Sequence, residues 1–164
     1  MDKTFLAQQL RHKLRESLGV TERELAAATD AAQNGEDERA KRDDSRMMIE
    51  YSALARGQAK RLDGLRRMLS ALDGFVPKEL SRSSRIDLGA LVEVEDDDDG
   101  TGRTFFLAPA GAGIELEGPG GDGYFTVVTP ISPLGRAVMG QREGDSVDVT
   151  VEGDTRSWTI TWVA

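Results

Sequence analysis

The chain has 164 residues, with 21 Lys and Arg against 29 Asp and Glu, a formal net charge of −8. It contains no cysteine and a single histidine, His12, which excludes a disulfide scaffold, thiol catalysis and Cys- or His-rich metal sites, and leaves a Ser-His-Asp triad without support. No apolar run approaches the roughly 18 residues of a membrane span, and the charged, amphipathic start MDKTFLAQQLRHKLRE lacks a signal-peptide core, so a cytoplasmic chain with no membrane partner is expected.

Charge divides the chain into unlike halves. Residues 1–78 carry 15 cations and 13 acids, whereas residues 79–164 carry 6 and 16, nets of +2 and −10. Two modules are expected, 1–78 and 79–164, with different partners. The acidic one would repel nucleic-acid phosphates.

The first module reads as helix. From Met1 to Leu72 there is no proline, and good helix formers dominate. Leu6, Leu10 and Leu14 fall on one stripe that ends near Leu18-Gly19. Thr21-Glu22-Arg23-Glu24 has the pattern of a capping box and predicts that a second helical segment starts there, with Leu25, Ala28 and Ala32 inward. Further on, Tyr51, Gln58, Leu65 and Leu72 are spaced by sevens and interleave with Ala55, Leu62 and Leu69, a heptad seam. Two such stripes in a short chain predict an antiparallel hairpin with its turn somewhere in 35–46. The almost wholly charged segment Gly35–Arg46 would project into water. Arms of about 20–25 residues reach roughly 30–38 Å at 1.5 Å per residue.

The second module reads as a small β-rich domain. Phe75-Val76-Pro77 ends the helix, and Ser81–Ser84 is a polar linker. Strands are expected at Leu91–Glu95, Thr104–Leu107, Tyr124–Val128, Val147–Val151 and Trp158–Trp162, with a short piece at Ile114–Leu116 inside a Gly-rich stretch. Ser132-Pro133-Leu134 is a helix start, Ser as N-cap and Pro at N1, and Gly140 closes that helix. The last two strands form a hairpin across Gly153-Asp154. The whole is an α+β arrangement, a meander with one short helix inserted late.

Chemistry-bearing clusters are few. Asp96–Asp99 could hold a divalent cation but lacks the EF-hand spacing and reads as a solvated turn. Gly118-Pro-Gly-Gly121 is followed by neither a helix nor Lys-Ser/Thr and reads as plain loop. His12 lies among charges as a surface residue. Trp158 and Trp162 are expected on one strand face, in the core. The acids Glu36, Asp37, Glu38, Asp43 and Asp44 are either a solvated face or metal ligands presented at the end of a rigid hairpin.

Pro130-Ile-Ser-Pro-Leu-Gly-Arg-Ala-Val-Met-Gly-Gln-Arg-Glu-Gly-Asp-Ser-Val-Asp-Val149 resembles the C-terminal signature of the GreA/GreB transcript-cleavage factors, a Ser-Pro-hydrophobic helix closed by Gly, then Gly-Asp and a strand. Leu91-Val-Glu-Val-Glu-Asp96 is similar to the first strand of that domain. Leu14-Arg-Glu-Ser-Leu18 with Arg23-Glu24-Leu25, and Glu50-Tyr51-Ser-Ala53 with Leu65, Met68 and Leu69, resemble the two coiled-coil arms. The resemblance implies an α+β fold, an N-terminal antiparallel α-helical coiled-coil hairpin (1–78) followed by a small β-rich domain like the FK506-binding proteins (79–164). It implies that the partner is bacterial RNA polymerase. The globular domain would dock at the secondary channel through Ile131, Ser132, Pro133, Leu134, Arg136, Gly140, Gly144 and Asp145, and the hairpin would enter toward the catalytic Mg²⁺.

In that family two tip acids, Asp-x-x-Glu, help hold a Mg²⁺ and its attacking water, so that the polymerase cleaves backtracked RNA. The factor is then no enzyme. It holds no metal or cofactor of its own, acts with the polymerase's Mg²⁺, meets the nascent RNA 3′ end indirectly, and is expected to be a monomer. This sequence departs from the pattern. Counted back from Glu50-Tyr51, the family's Asp falls on Asp44 and its Glu on Met47, whose thioether is a poor ligand for a hard cation. Between Leu25 and Tyr51 the chain is also about seven residues longer than the family spacing, about two helical turns. Asp43 and Asp44 are therefore the expected tip acids, with Glu36, Asp37 and Glu38 as alternatives. Three functions follow as expectations: a cleavage factor, a channel-occupying regulator without cleavage, and, from another class, a stand-alone prolyl isomerase or chaperone, disfavoured by the scarcity of aromatics to line a pocket.

Overall fold

The computed structural model describes residues 2–34 and 43–164, and at 34, 43 and 44 the backbone alone. In chain order these form α1 (Lys3–Asn34), α2 (Asp43–Leu72), β1 (Leu91–Asp96), β2 (Gly102–Leu107), β3 (Glu115–Glu117), β4 (Tyr124–Val128), α3 (Pro133–Val138), β5 (Ser146–Val151) and β6 (Asp154–Val163). Two compact units result, Lys13–Ser70 and the combination of Met1–His12 with Ala71–Ala164. The expected α+β class, a helical hairpin and a small β domain, is what the chain forms.

In the helical unit both arms keep an unbroken 3–4 spacing. Along α1 this runs Leu14, Leu18, Thr21, Leu25, Ala28 and Ala32, and along α2 it runs Tyr51, Ala55, Gln58, Leu62, Leu65 and Leu69. Leu14, Ala28, Leu62 and Leu65 are buried, and Glu22 of one arm meets Arg66 of the other at 3.6 Å. That pair is exposed on both sides and contributes little, so the apolar seam holds the hairpin. The helix break at Leu18-Gly19 and the capping box at Thr21 do not form, because α1 runs through both. Thr21 lies seven residues from Leu14 and falls on the seam, fully buried in the middle of α1 and not at a helix end. Packing there overrides the local capping pattern, at a cost. Thr21 Oγ1 and Gln58 Oε1 are buried without hydrogen-bond partners among the described residues. Of the charged segment expected to turn in 35–46, residues 43–46 belong to α2; acids suit a helix's first turn. Glu36, Asp37 and Glu38 lie outside the described residues, as do the side chains of Asp43 and Asp44.

The other unit is a six-stranded sheet in the order β3-β4-β2-β1-β6-β5. It is not a meander: β2 and β4 run parallel, Phe105 beside Thr126, with β3 carried to the outer edge as the chain crosses between them. A parallel pair needs such a crossover, which the Gly-rich stretch between β2 and β4 supplies. β5 and β6 form the expected hairpin, but its turn is Glu152-Gly153, one residue before the expected Gly153-Asp154, both at positive φ (52° and 86°), as a two-residue turn with the strands' own twist requires. One sheet face carries the main core, with Val92, Val94, Phe105, Leu107, Trp158 and Ile160 under α3.

Trp162 is not in that core. Thr161 is an extra residue on β6, because Val94 pairs with Ile160 while Glu93 pairs with Trp162. Residues directly opposite one another share a face, so the bulge moves Trp162 to the side of exposed Glu93 and returns Val163 to the core. A one-residue insertion inverts every later position, which is why plain alternation from Trp158 misplaced it.

The first turns of α1 are built into the sheet unit. Leu6, Ala7 and Leu10 are fully buried. Gln9 makes a two-way bridge to the backbone of edge strand β3, its Nε2 donating to Glu117 O (3.2 Å) and its Oε1 accepting from Glu117 N (2.7 Å). Lys3 is buried with its ammonium donating to Lys78 O, and desolvation lowers its pKa against the opposing pull of Glu79. Arg11 caps the end of α2, which has no basic residue in its own last turn, by donating through Nε (3.2 Å) and Nη2 (2.9 Å) to Leu72 O and through Nη2 to Phe75 O. Arg11→Met keeps the aliphatic stem and leaves those carbonyls without their cation. It is expected to cost about 1.5–3 kcal/mol, the range for hydrogen bonds to a charged group, measured by urea denaturation.

Candidate functional site

The segment 129–140 is shaped by one hydroxyl and one glycine. Ser132 has extended backbone (φ −69°, ψ 155°) and caps α3, with Oγ accepting from Gly135 N (3.1 Å) and donating to Thr129 O (2.7 Å). Its own N–H donates to Thr129 O at 3.0 Å. Pro133 supplies the first helical position. The loop lies so close to the helix that a Cβ on Gly135 would stand 1.9 Å from Thr129 O. This tight return leaves Ile131 at the apex, 83% exposed, more than any other large apolar residue described. At the other end Gly140, at φ +78°, closes the helix, and its N–H donates to Ile86 O.

Beside α3 the sheet leaves a cavity of about 470 Å³, walled by Val128, Val149, Val151 and Trp158 from the strands and by Pro133 and Leu134 from the helix. A neighbouring cavity of about 410 Å³ shares Arg103, Thr126, Val128 and Leu134 and extends toward exposed Tyr124. Together they make a groove of the size ligand-binding sites have. Arg103 crosses its wall with the guanidinium 5.3 Å from the Trp158 ring centroid.

A second arginine, Arg156, also lines the cavity, but it is held by carboxylates: Asp96 at 3.2 Å, Asp154 at 3.6 Å and Asp99 at 3.9 Å. The hydrogen bond it donates to Asp96, then the charge of that carboxylate, fix Arg156 more firmly in its cationic form. The acidic turn is thereby accounted for. Asp96, its side chain fully buried, pairs with Arg156 and accepts Asp98 N; Asp97 accepts from the Thr159 hydroxyl; Asp99 accepts Thr101 N. Hydrogen bonds from Thr101, and more weakly the charges of Arg156 and Arg103, hold the Asp99 carboxyl below the usual range. Among the described residues no cluster of His, Cys, Asp or Glu could hold a metal ion.

The residues singled out from sequence do not all come together. Ser132, Pro133 and Leu134 line the cavity, Ile131 stands at the loop apex, and Arg136 is exposed on α3. Gly140, Gly144 and Asp145 do not line it. Gly144 turns at φ +91° and donates to Ile160 O, while Asp145 Oδ2 accepts Arg142 N, so both shape the entry to β5. Arg103, Trp158 and Arg156 were not legible as site residues. Their meeting depends on the pairings Val94–Arg103 and Val149–Arg156, which put them on the face that carries α3. His12 is exposed. No described helix is long and apolar enough to cross a membrane.

No curated protein matches the sequence significantly. Among solved structures, the chain is similar to the transcription factor Gfh1 (24% identity, TM-score 0.41, covering 94% of this chain and 93% of that one). It is likewise similar to GreA factor homolog 1 of Thermus thermophilus (23%, 0.40, 94% and 94%), and to the elongation factor GreA/GreB from Nitrosomonas europaea (16%, 0.36, 73% and 92%). Residues 81–164, just over half of the chain and the whole of the sheet from β1 to β6, match the family described as Transcription elongation factor, GreA/GreB, C-term. The chain belongs to the GreA/GreB family of transcription elongation factors.

Proposed function

We propose that the chain binds bacterial RNA polymerase through the α3 face of its sheet unit, places the turn of its hairpin in the secondary channel, and promotes cleavage of backtracked RNA. The observation that carries this reading is Ile131. Within the segment matched to the family, the most exposed large apolar side chain stands at the apex of a loop that Ser132 and Gly135 hold rigidly, beside an apolar groove. An exposed apolar residue on a fixed support, next to a cavity, has the properties of an interface anchor. In this reading Ser132, Pro133 and Leu134 form the contact with Ile131, Arg136 adds charge at its rim, and Gly140, Gly144 and Asp145 hold the segment's shape. The factor acts as a monomer in the cytoplasm and is no enzyme itself.

The carboxylates at or near the turn, Asp43 and Asp44 before Glu36, Asp37 and Glu38, would supply the hard oxygen ligands that Mg²⁺ takes. The polymerase's Mg²⁺ supplies charge neutralisation and an activated water; the chain's part is to add a ligand and meet the RNA 3′ end through it. Met47 favours a second reading. It occupies the place of the family's Glu, it is 48% exposed on α2, and a thioether there adds nothing to a Mg²⁺ site. The chain would then occupy the channel and modulate transcription without stimulating cleavage.

The test is RNA cleavage in a stalled, backtracked elongation complex at limiting Mg²⁺. Asp43→Ala/Asp44→Ala is expected to lower the stimulated rate by about 10- to 100-fold, the range for groups that support a catalytic metal, with polymerase binding unchanged. Loss in Glu36→Ala/Asp37→Ala/Glu38→Ala instead would move the tip to those residues. Polymerase binding without any stimulation by the wild type would establish the second reading.

A further inference from the structure

We propose that the groove beside α3 receives from the polymerase an apolar side chain with a carboxylate next to it, and that Arg103 takes the carboxylate. The inference deepens the docking reading and rests on it.

The cavity of about 470 Å³ is many times the volume of a water molecule and has mostly aliphatic walls, so an apolar group is its natural content. Charge decides what stands beside that group. Residues 79–164 hold only six cations against sixteen acids, yet two of the six, Arg103 and Arg156, line the groove, with Asp154 the one acid beside them. Arg156 is consumed by Asp96, Asp99 and Asp154. Arg103 has no ion pair among the described residues, and the nearest acid effect is the weak pull it exerts on Asp99. Its guanidinium carbon lies 5.3 Å from the Trp158 ring centroid, a cation–π contact that keeps the charge beside the groove. A planar guanidinium suits a carboxylate, which it can grip with two parallel hydrogen bonds. A neutral or basic occupant would strip water from that cation without replacing it, so the groove discriminates against such partners as well as attracting acidic ones.

The full-length chain is titrated with bacterial core RNA polymerase. Trp162→Phe leaves Trp158 as the single tryptophan of the chain, and its emission under selective labelling or exchange of the polymerase's own tryptophans reports on the groove. Arg103→Glu is expected to weaken binding about 10- to 100-fold at 0.1 M salt, and Arg103→Lys to restore part of it. Wild-type affinity is expected to fall more steeply with added salt than that of Arg103→Gln, because one screened charge pair is missing in the variant. A native melting curve for each variant separates lost binding from lost folding. If Ile131→Asp abolishes binding while Arg103→Glu binds within about twofold of wild type, the docking reading stands and the groove's acidic occupant is overturned. If the wild type binds and neither substitution matters, both readings fall. Self-association by the chain alone that is lost in Arg103→Glu would put a second copy in the groove, and overturns the proposal as well.

Discussion

Gly135→Ala is expected to destabilise the protein by about 2–3 kcal/mol although it adds a single methyl group. Two effects oppose each other. Alanine is the better helix former by about 0.5–1 kcal/mol, and in open helix that gain would be realised. Gly64, inside α2 with nothing within 4 Å of where a methyl would stand, is the control, and Gly64→Ala is expected to stabilise by that amount. At Gly135 the methyl would sit 1.9 Å from Thr129 O and 3.0 Å from Ser132 Oγ. The first of these is backbone and cannot rotate away. Either α3 lifts off the sheet or the 129–132 loop swings out, and both break the Ser132 hydrogen bonds to Thr129 O. Overpacking costs about 1–3 kcal/mol and a lost N-cap about 1 kcal/mol, so the penalty exceeds the propensity gain. Urea denaturation followed by tryptophan fluorescence measures the sum. Because Ile131 rides on the same loop, polymerase affinity should fall with it. Equal stability for Gly135→Ala and the wild type would mean that the loop is not held as tightly as its hydrogen bonds indicate.

How far the sequence carried depended on the range of the interaction. Elements set by local chemistry were legible: Ser132 and Pro133 begin α3, Gly140 ends it, and Gly153 marks the last hairpin, whose turn falls one residue earlier than expected. The heptad spacing correctly named Leu62 and Leu65 as buried seam positions, whereas Leu72, also buried, belongs to the unit that contains the sheet. What failed was decided at a distance. The Thr21 capping pattern lost to a seam position seven residues from Leu14, and alternation from Trp158 to Trp162 lost to the extra residue Thr161, visible only in the register with β1. The parallel β2–β4 pair could not be read from strands that look alike in either direction. The candidate site divides the same way. The loop residues around Ile131 announce themselves by their motif, whereas Arg103 and Trp158 lie 55 positions apart and meet only across β1. Asp96, which in sequence is one of four like acids, is singled out by its buried pairing with Arg156.

Leu10→Ala is the other large effect expected, about 2–5 kcal/mol, and its readout should come from the sheet and not from the helices. Leu10 is on α1, and its spacing of four from Leu6 and from Leu14 puts it on the same stripe, which suggests a hairpin residue. It is fully buried nonetheless within the unit that contains the sheet, its Cδ1 lying 2.8 Å from where a Cβ on Gly111 would be. Truncation leaves a void that the neighbours cannot close. Gly111 cannot supply the missing volume by substitution, since its φ of +91° strains any side chain there. Around Leu10 the helix is pinned by Gln9 on Glu117, Lys3 on Lys78 O and Arg11 on the end of α2, so the void is held open instead of being relieved by a shift of the helix, and the cost should fall in the upper part of the range. Leu25→Ala, at a half-buried seam position in the Lys13–Ser70 unit, is the contrast: it should move the far-ultraviolet circular dichroism transition and leave tryptophan fluorescence, which reports on Trp158 and Trp162, nearly in place. If Leu10→Ala shifted only the helical transition, the first turns of α1 would belong energetically to the hairpin despite their burial against the sheet. If it shifts the fluorescence transition, the sheet unit includes the N-terminal helix turns energetically as well, and removing them would unfold the surface that carries Ile131.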